Sequence, residues 1–115
     1  MQTAYHKLIR DRIPEIIRAD GYSCDIETMD EHEYRQALRQ KLVEESCEVA
    51  TASEQELVSE LADLHEVIDA LMSSYNISPT TVQATQEQRR TERGGFQQRL
   101  RLLRTTPPEN ATNPQ

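Results

Sequence analysis

Apolar residues recur at helical spacing through the middle of the chain. One set runs through Tyr34, Leu38, Leu42 and Val49, and a second through Leu57, Leu61, Leu64, Ile68 and Leu71. Steps of three, four and seven residues place each set on one helix face, which gains by burial against a neighbour. Asp30 followed by Glu33 has the form of a capping box and opens the first of these helices, which reaches about Ala52. Ser53 with Glu56 repeats the signal, and the second helix then reaches about Tyr75, where Asn76 ends it. With only about two or three residues between them, the two helices are expected to be antiparallel neighbours.

The flanks carry their own punctuation. A short helix is expected from Pro14, with Gly21 as its stop, and a further long helix from Ser78-Pro79 to about Arg93, broken by Gly94-Gly95. Tyr22, Cys24, Ile26 and Thr28 alternate with Ser23, Asp25, Glu27 and Met29, the two-residue period of a strand. Leu100 and Leu102 alternate in the same way with Arg99 and Arg101. The expected fold class is therefore mainly all-α: an antiparallel helical bundle, with a short β-hairpin-like pairing of these two strands. Residues 1–104 read as one domain, and residues 105–115, rich in Pro and polar side chains, as a disordered tail.

At 115 residues, with one Phe and no Trp, the chain has room for a single modest core of aliphatic side chains. Chains of this size often complete their core by association, so the helices are expected to contribute to a homo-oligomer. Cys24 and Cys47 form no CxxC pair, and two thiols are too few for a zinc site or a disulfide framework. The opening MQTAYHKLIRDR lacks the apolar centre of a signal peptide, and no apolar run reaches the roughly 20 residues that span a bilayer. A cytoplasmic protein with no membrane partner is expected.

Charge changes the picture more than composition does. The net charge is −7, but residues 1–19 carry a local +2, residues 20–69 a local −12 and residues 70–115 a local +3. The acidic total disfavours nucleic acid as a partner, because duplex affinity rests on neutralising phosphates. An acidic middle between basic flanks suits a cation site beside a small polyanion, although a solvated charge pattern alone would look the same.

The apolar stripe decides between these. Glu45 falls within the face of Tyr34, Leu38, Leu42 and Val49, with Glu48 about 60° round the helix and Glu44 about 100° away. An ionised carboxylate on a core-facing stripe is costly unless something positive compensates it. On the next helix Glu60 and Asp63 flank the edge of the apolar stripe at i, i+3 spacing and can converge on one point. Any single i, i+3 acid pair is most often plain solvated surface. Two such pairs on successive helices, one invading an apolar face, point instead to a shared cation. Hard oxygen donors select Mg²⁺, with Mn²⁺ as a substitute, and Mg²⁺ commonly takes substrate phosphate oxygens as further ligands. A di-iron bundle is set aside, because Thr3, Met29 and Ala62 stand where a Glu-x-x-His motif needs glutamate.

These residues have a family pattern. Glu44-Glu45-x-x-Glu48, followed after eleven residues by Glu60-x-x-Asp63, resembles the EExxE…ExxD signature of the MazG-like all-α nucleoside triphosphate pyrophosphohydrolases. The segment from Lys7 to Ile17, KLIRDRIPEII, resembles the KLVRDKIPEII opening of one branch of small proteins, and Glu92-Arg93-Gly94-Gly95-Phe96 its closing ERGGF. The resemblance implies a helical bundle, commonly dimeric or a dimer of dimers. It also implies Mg²⁺-dependent cleavage of a (deoxy)nucleoside triphosphate between the α and β phosphates, releasing a monophosphate and pyrophosphate. Carried over by position, Glu45, Glu48, Glu60 and Asp63 would bind the metal, and Glu44 would act catalytically, as a further ligand or by orienting the attacking water.

Cations beside these motifs are candidate phosphate contacts: Lys41, Arg10, Arg12 and Arg93. Lys41 can equally pair with Glu44 or Glu45 one turn away. Cys47 is expected to be a small buried filler and His65 a surface residue. Two rival readings differ in class: a non-catalytic nucleotide- or metal-binding regulatory module, and a purely structural helical dimer with an acidic face. The last predicts no effect of divalent cations on melting, whereas a true site raises it.

Overall fold

The computed structural model describes residues 2 and 5–109. Four helices follow in order: α1 (Ile13–Ala19), α2 (Glu31–Thr51), α3 (Leu57–Ser74) and α4 (Pro79–Arg93). Most of the expected boundaries are met by local chemistry. Pro14 lies in the first turn of α1 and is buried, and the helix closes at Gly21, whose φ of +87° only glycine adopts freely. The Tyr22 amide then donates back to the Ile17 carbonyl, as in a Schellman ending.

Asp30 caps α2 by accepting from the Glu33 amide at 2.8 Å. That bond, made to the ionised form, holds the Asp30 carboxyl below its ordinary value. At the far end of α3, Asn76 takes the left-handed conformation (φ +55°), and the Ile77 amide returns to the Met72 carbonyl. Ser53 and Glu56 do bond as expected, side chain to side chain at 2.8 Å. They form a turn ahead of α3 rather than its first residues, so the connection is the five residues from Ala52 to Glu56.

The chain divides into two units, Met1–Val82 and Gln83–Gln115, with the division inside α4. In the first unit α2 and α3 pack as an antiparallel hairpin. Arg35 and Arg39 near the start of α2 meet Ser74 and Tyr75 at the end of α3. Among the described residues Leu38 (2% exposed) and Val67 (8%) are the buried hydrophobic side chains. The α2 face is as the pattern predicts: Tyr34, Leu42, Glu45 and Val49 are all at least half-buried around Leu38. The α3 face is the expected one along Leu64, Ile68 and Leu71, which are half-buried, and departs from it in the first turns. Leu57 and Leu61 remain 37% and 39% exposed, while Glu60, Asp63 and Val67 turn inward.

In the second unit the remainder of α4 is polar and exposed, with Gln88 donating to Glu92 one turn on. It ends at Gly94 (φ +85°), whose amide bonds the Arg90 carbonyl. Phe96 is 96% exposed, and Leu100, Leu102 and Leu103 are exposed as well.

The two expected strands do not form: among the described residues there is no strand, and the fold is all-α. Tyr22 and Ile26 are exposed, so the alternation at 22–29 has no core to face. Arg99 adopts φ +58° and breaks the extended run at its start. A lone two-stranded pair is marginal even with good residues. Of the expected tail, residues 105–109 have no regular structure and 110–115 lie outside the described residues. No helix among the described residues is long and apolar enough to cross a membrane.

Candidate metal centre

The antiparallel hairpin carries the end of α2 past the start of α3, and so brings Glu45 to Glu60 and Asp63. One carboxylate oxygen from each lies within 4.8 Å of the others, and all three side chains are half-buried. The Glu45 side chain is 14% exposed and that of Asp63 45%. Such crowding is unfavourable for three ionised acids. Accordingly the Glu60 carboxyl is raised above its ordinary value, first by loss of solvent and then by the charges of Glu48, Asp63 and Glu45.

Glu48 stands outside this trio on the exposed side of α2, yet its charge is the strongest single neighbour felt by Glu60. Glu44 is exposed and turned to Lys41 at 3.5 Å. Lys41 also reaches Glu45 at 3.6 Å, so it serves two carboxylates at once. The pairing expected for Lys41 is thus present.

Arg10 reaches the cluster from outside the hairpin. Its Nη2 donates to Asp63 Oδ1 at 2.8 Å, joining the irregular segment ahead of α1 to α3. Arg12 instead lies on Glu15, with Nε and Nη2 both donating to one oxygen at 3.0 and 2.7 Å. Arg93 ends α4 in the second unit, where it lines a hollow with Gly94, Gly95 and Phe96. His65 is exposed, as expected. Cys47 is exposed too, contrary to the expectation of a buried filler, because its position on α2 faces away from α3.

The Arg10–Asp63 pair was not foreseen from the sequence. Its signal was the +2 opening segment set against the −12 middle. Nor was the clamp at the other end of the hairpin foreseen. There Arg35 donates to the Ser74 carbonyl through two nitrogens and lies 4.4 Å from the Tyr75 ring centre, while Arg39 bonds the Tyr75 hydroxyl at 3.1 Å.

A group of oxygen-only donors without His or thiolate fits a hard divalent cation such as Mg²⁺ or Mn²⁺, not zinc. The class so defined is an all-α protein with a carboxylate cluster between two antiparallel helices. Residues 3–90 match the phosphoribosyl-ATP pyrophosphohydrolase family, and the chain belongs to it. This is a pyrophosphohydrolase family, within the wider MazG-like all-α group that the motifs resemble. An uncharacterized protein of Mycolicibacterium smegmatis is 50% identical over 46 residues, covering 40% of this chain and 47% of that protein. The match thus spans about half the length of the curated relative. No solved structure matches the chain.

Proposed function

We propose that this protein is a metal-dependent nucleotide pyrophosphohydrolase, cleaving a (deoxy)nucleoside triphosphate between its α and β phosphates. The observation that carries the reading is the Glu45–Glu60–Asp63 cluster in a member of a pyrophosphohydrolase family. These three residues and Glu48 would hold Mg²⁺, with Mn²⁺ as a substitute. When bound, the cation lowers the pKa of a coordinated water and offsets the charge that builds on the departing pyrophosphate.

The chain's own residues supply the rest. Glu44, exposed beside the cluster, orients the attacking water or adds a ligand. Lys41, Arg10, Arg12 and Arg93 are the candidate phosphate contacts, and Arg suits that role through its planar fork of donors. The motif at Lys7–Ile17 and the closing Glu92–Phe96 favour the small-protein branch of the MazG-like group.

Association of copies into a homodimer or homotetramer accompanies this reading. It is supported by the thin core and by apolar side chains left open on the hairpin, among them Val43 and Val58, the latter 79% exposed. Sedimentation equilibrium returning a monomer at micromolar concentration would reject it.

The deciding experiment is release of pyrophosphate from a nucleotide panel that includes phosphoribosyl-ATP, with Mg²⁺ or Mn²⁺, comparing the native protein with Glu48→Gln. Release by the native protein and its loss in the variant are expected. Equal release by both, or none from any nucleotide, overturns the enzyme reading. Orthophosphate in place of pyrophosphate overturns the site of cleavage.

A further inference from the structure

Five ion pairs join the described residues. Four of them link side chains three or four positions apart on the same stretch of chain. The fifth, Arg10 with Asp63, spans 53 positions and ties an irregular segment to the carboxylate cluster. That segment is not loose. Leu8 and Ile9 are half-buried and Pro14 is buried, so the backbone on either side of Arg10 is anchored while its own side chain is 57% exposed. A long side chain on an anchored strap can change partners without unfolding anything.

Its present partner is one that a cation would also use. Asp63 belongs to the trio whose oxygens converge within 4.8 Å. A guanidinium on Asp63 and a divalent ion in the same trio are like charges a few ångströms apart, close enough to repel even where water reaches them. The two therefore compete for Asp63. A divalent ion held by carboxylates keeps coordination sites for phosphate oxygens, so anionic charge arrives beside Arg10 with the nucleotide. A guanidinium binds phosphate at least as well as it binds a carboxylate.

We propose that Arg10 is a hand-over residue: it neutralises Asp63 until a divalent cation binds the trio, and then turns its guanidinium to a phosphate group entering beside that cation. The proposal rests on the reading of the trio as a cation site. It adds a defined order, in which cation binding frees the arginine that the phosphate needs. Lys41 does not share the role. It bridges Glu44 and Glu45 along one helix, from a side chain only 19% exposed, and has no comparable freedom to leave.

The test uses Mn²⁺ and inorganic pyrophosphate as probes, with binding measured by calorimetry on the native protein, Arg10→Gln and Arg10→Lys. Arg10→Gln should bind Mn²⁺ alone roughly two- to fivefold tighter, the range expected for releasing an exposed ion pair. In the presence of Mn²⁺ it should bind pyrophosphate about tenfold or more weakly, the loss of charge-assisted hydrogen bonds. Arg10→Lys keeps the charge and should leave Mn²⁺ affinity near native while pyrophosphate affinity falls part of the way. Amide exchange across residues 8–12 should quicken with Mn²⁺ and slow again when pyrophosphate is added.

Equal or weaker Mn²⁺ binding by Arg10→Gln overturns the proposal and makes Arg10 a support that holds Asp63 in place. Tighter Mn²⁺ binding with unchanged pyrophosphate affinity also overturns it, since no hand-over occurs. Absence of Mn²⁺ binding by the native protein overturns the underlying cation site as well, a result that neither of the other two resembles.

Discussion

The two ends of the α2–α3 hairpin are built from the same helical repeat and do different work. Towards one end Leu38 is 2% exposed, and Arg35 and Arg39 close over Tyr75. At the other end the next positions of the same face are Glu45 on α2 and Glu60 and Asp63 on α3. There the leucines that might have filled the space, Leu57 and Leu61, are left more than a third exposed. One end holds the hairpin together, and the other is held in place by it. Clustered carboxylates cost stability by themselves, so they are affordable only next to a region that supplies it.

The largest expected effect therefore lies at the core end. Leu38→Ala should cost about 2–5 kcal/mol, the range for a buried leucine whose site cannot collapse. In a chain with so little else buried, that is enough to unfold much of the population at room temperature. Chemical denaturation followed by circular dichroism measures it. Addition of Mg²⁺ should recover part of the loss, because the cation binds only where the two helices are together. A cost below about 1 kcal/mol would mean that the core lies elsewhere, and the contrast between the two ends would go with it.

A smaller effect of opposite sign is expected at the carboxylate end. Burial and the neighbouring acids raise the Glu60 carboxyl, so the folded chain holds that proton more tightly than the unfolded one. Between the ordinary glutamate value and the raised one, the folded state carries more protons, and stability falls as pH rises through that window. Glu60→Gln cannot ionise. With a chelator present, the variant should melt higher than the native protein at neutral pH, and the two should converge in acid below the ordinary glutamate range. Divalent cation should reverse the order at neutral pH, stabilising the native protein alone. Melting curves against pH, with EDTA and then with Mn²⁺, give both comparisons. A native protein that melts higher than Glu60→Gln even in EDTA would show that Glu60 is a structural residue.

Much of this contrast was legible in the sequence, and the failures share a cause. Asp30, Gly21, Asn76 and Gly94 fix helix ends through local backbone chemistry, which needs no knowledge of the rest of the chain. Glu45 was readable as misplaced because the α2 stripe is regular on both sides of it. The α3 stripe holds at Leu64, Ile68 and Leu71 and departs at Leu57 and Leu61, where Glu60 and Asp63, half-buried beside Glu45, share the inner side. The strands at 22–29 and 99–102 failed for the same reason. Alternation is local, but a strand needs a partner edge and a face to bury, and here Ile26 and Leu100 have neither. Arg10 was readable as a cation near phosphate chemistry but not as the partner of Asp63, because the two lie 53 positions apart.

The smallest expected effects come from two exposed arginines, Arg39 on the hairpin and Arg12 at the start of α1, and they sharpen the comparison most. Arg39 bonds the Tyr75 hydroxyl at 3.1 and 3.2 Å and lies 5.3 Å from the centre of its ring. Arg39→Ala should lower stability by about 0.5–1 kcal/mol, as for an exposed cation–π contact, and leave pyrophosphate release per folded molecule unchanged. Arg12 makes its ion pair with Glu15 on an open surface, both side chains more than 60% exposed. Arg12→Ala should therefore change stability by no more than about 0.5 kcal/mol, since such pairs contribute little in water. Any fall in pyrophosphate release that it causes cannot then be charged to folding. A loss seen as a raised KM, absent in Arg39→Ala, would mark Arg12 as a substrate contact; equal behaviour of the two variants would remove it from the candidate site.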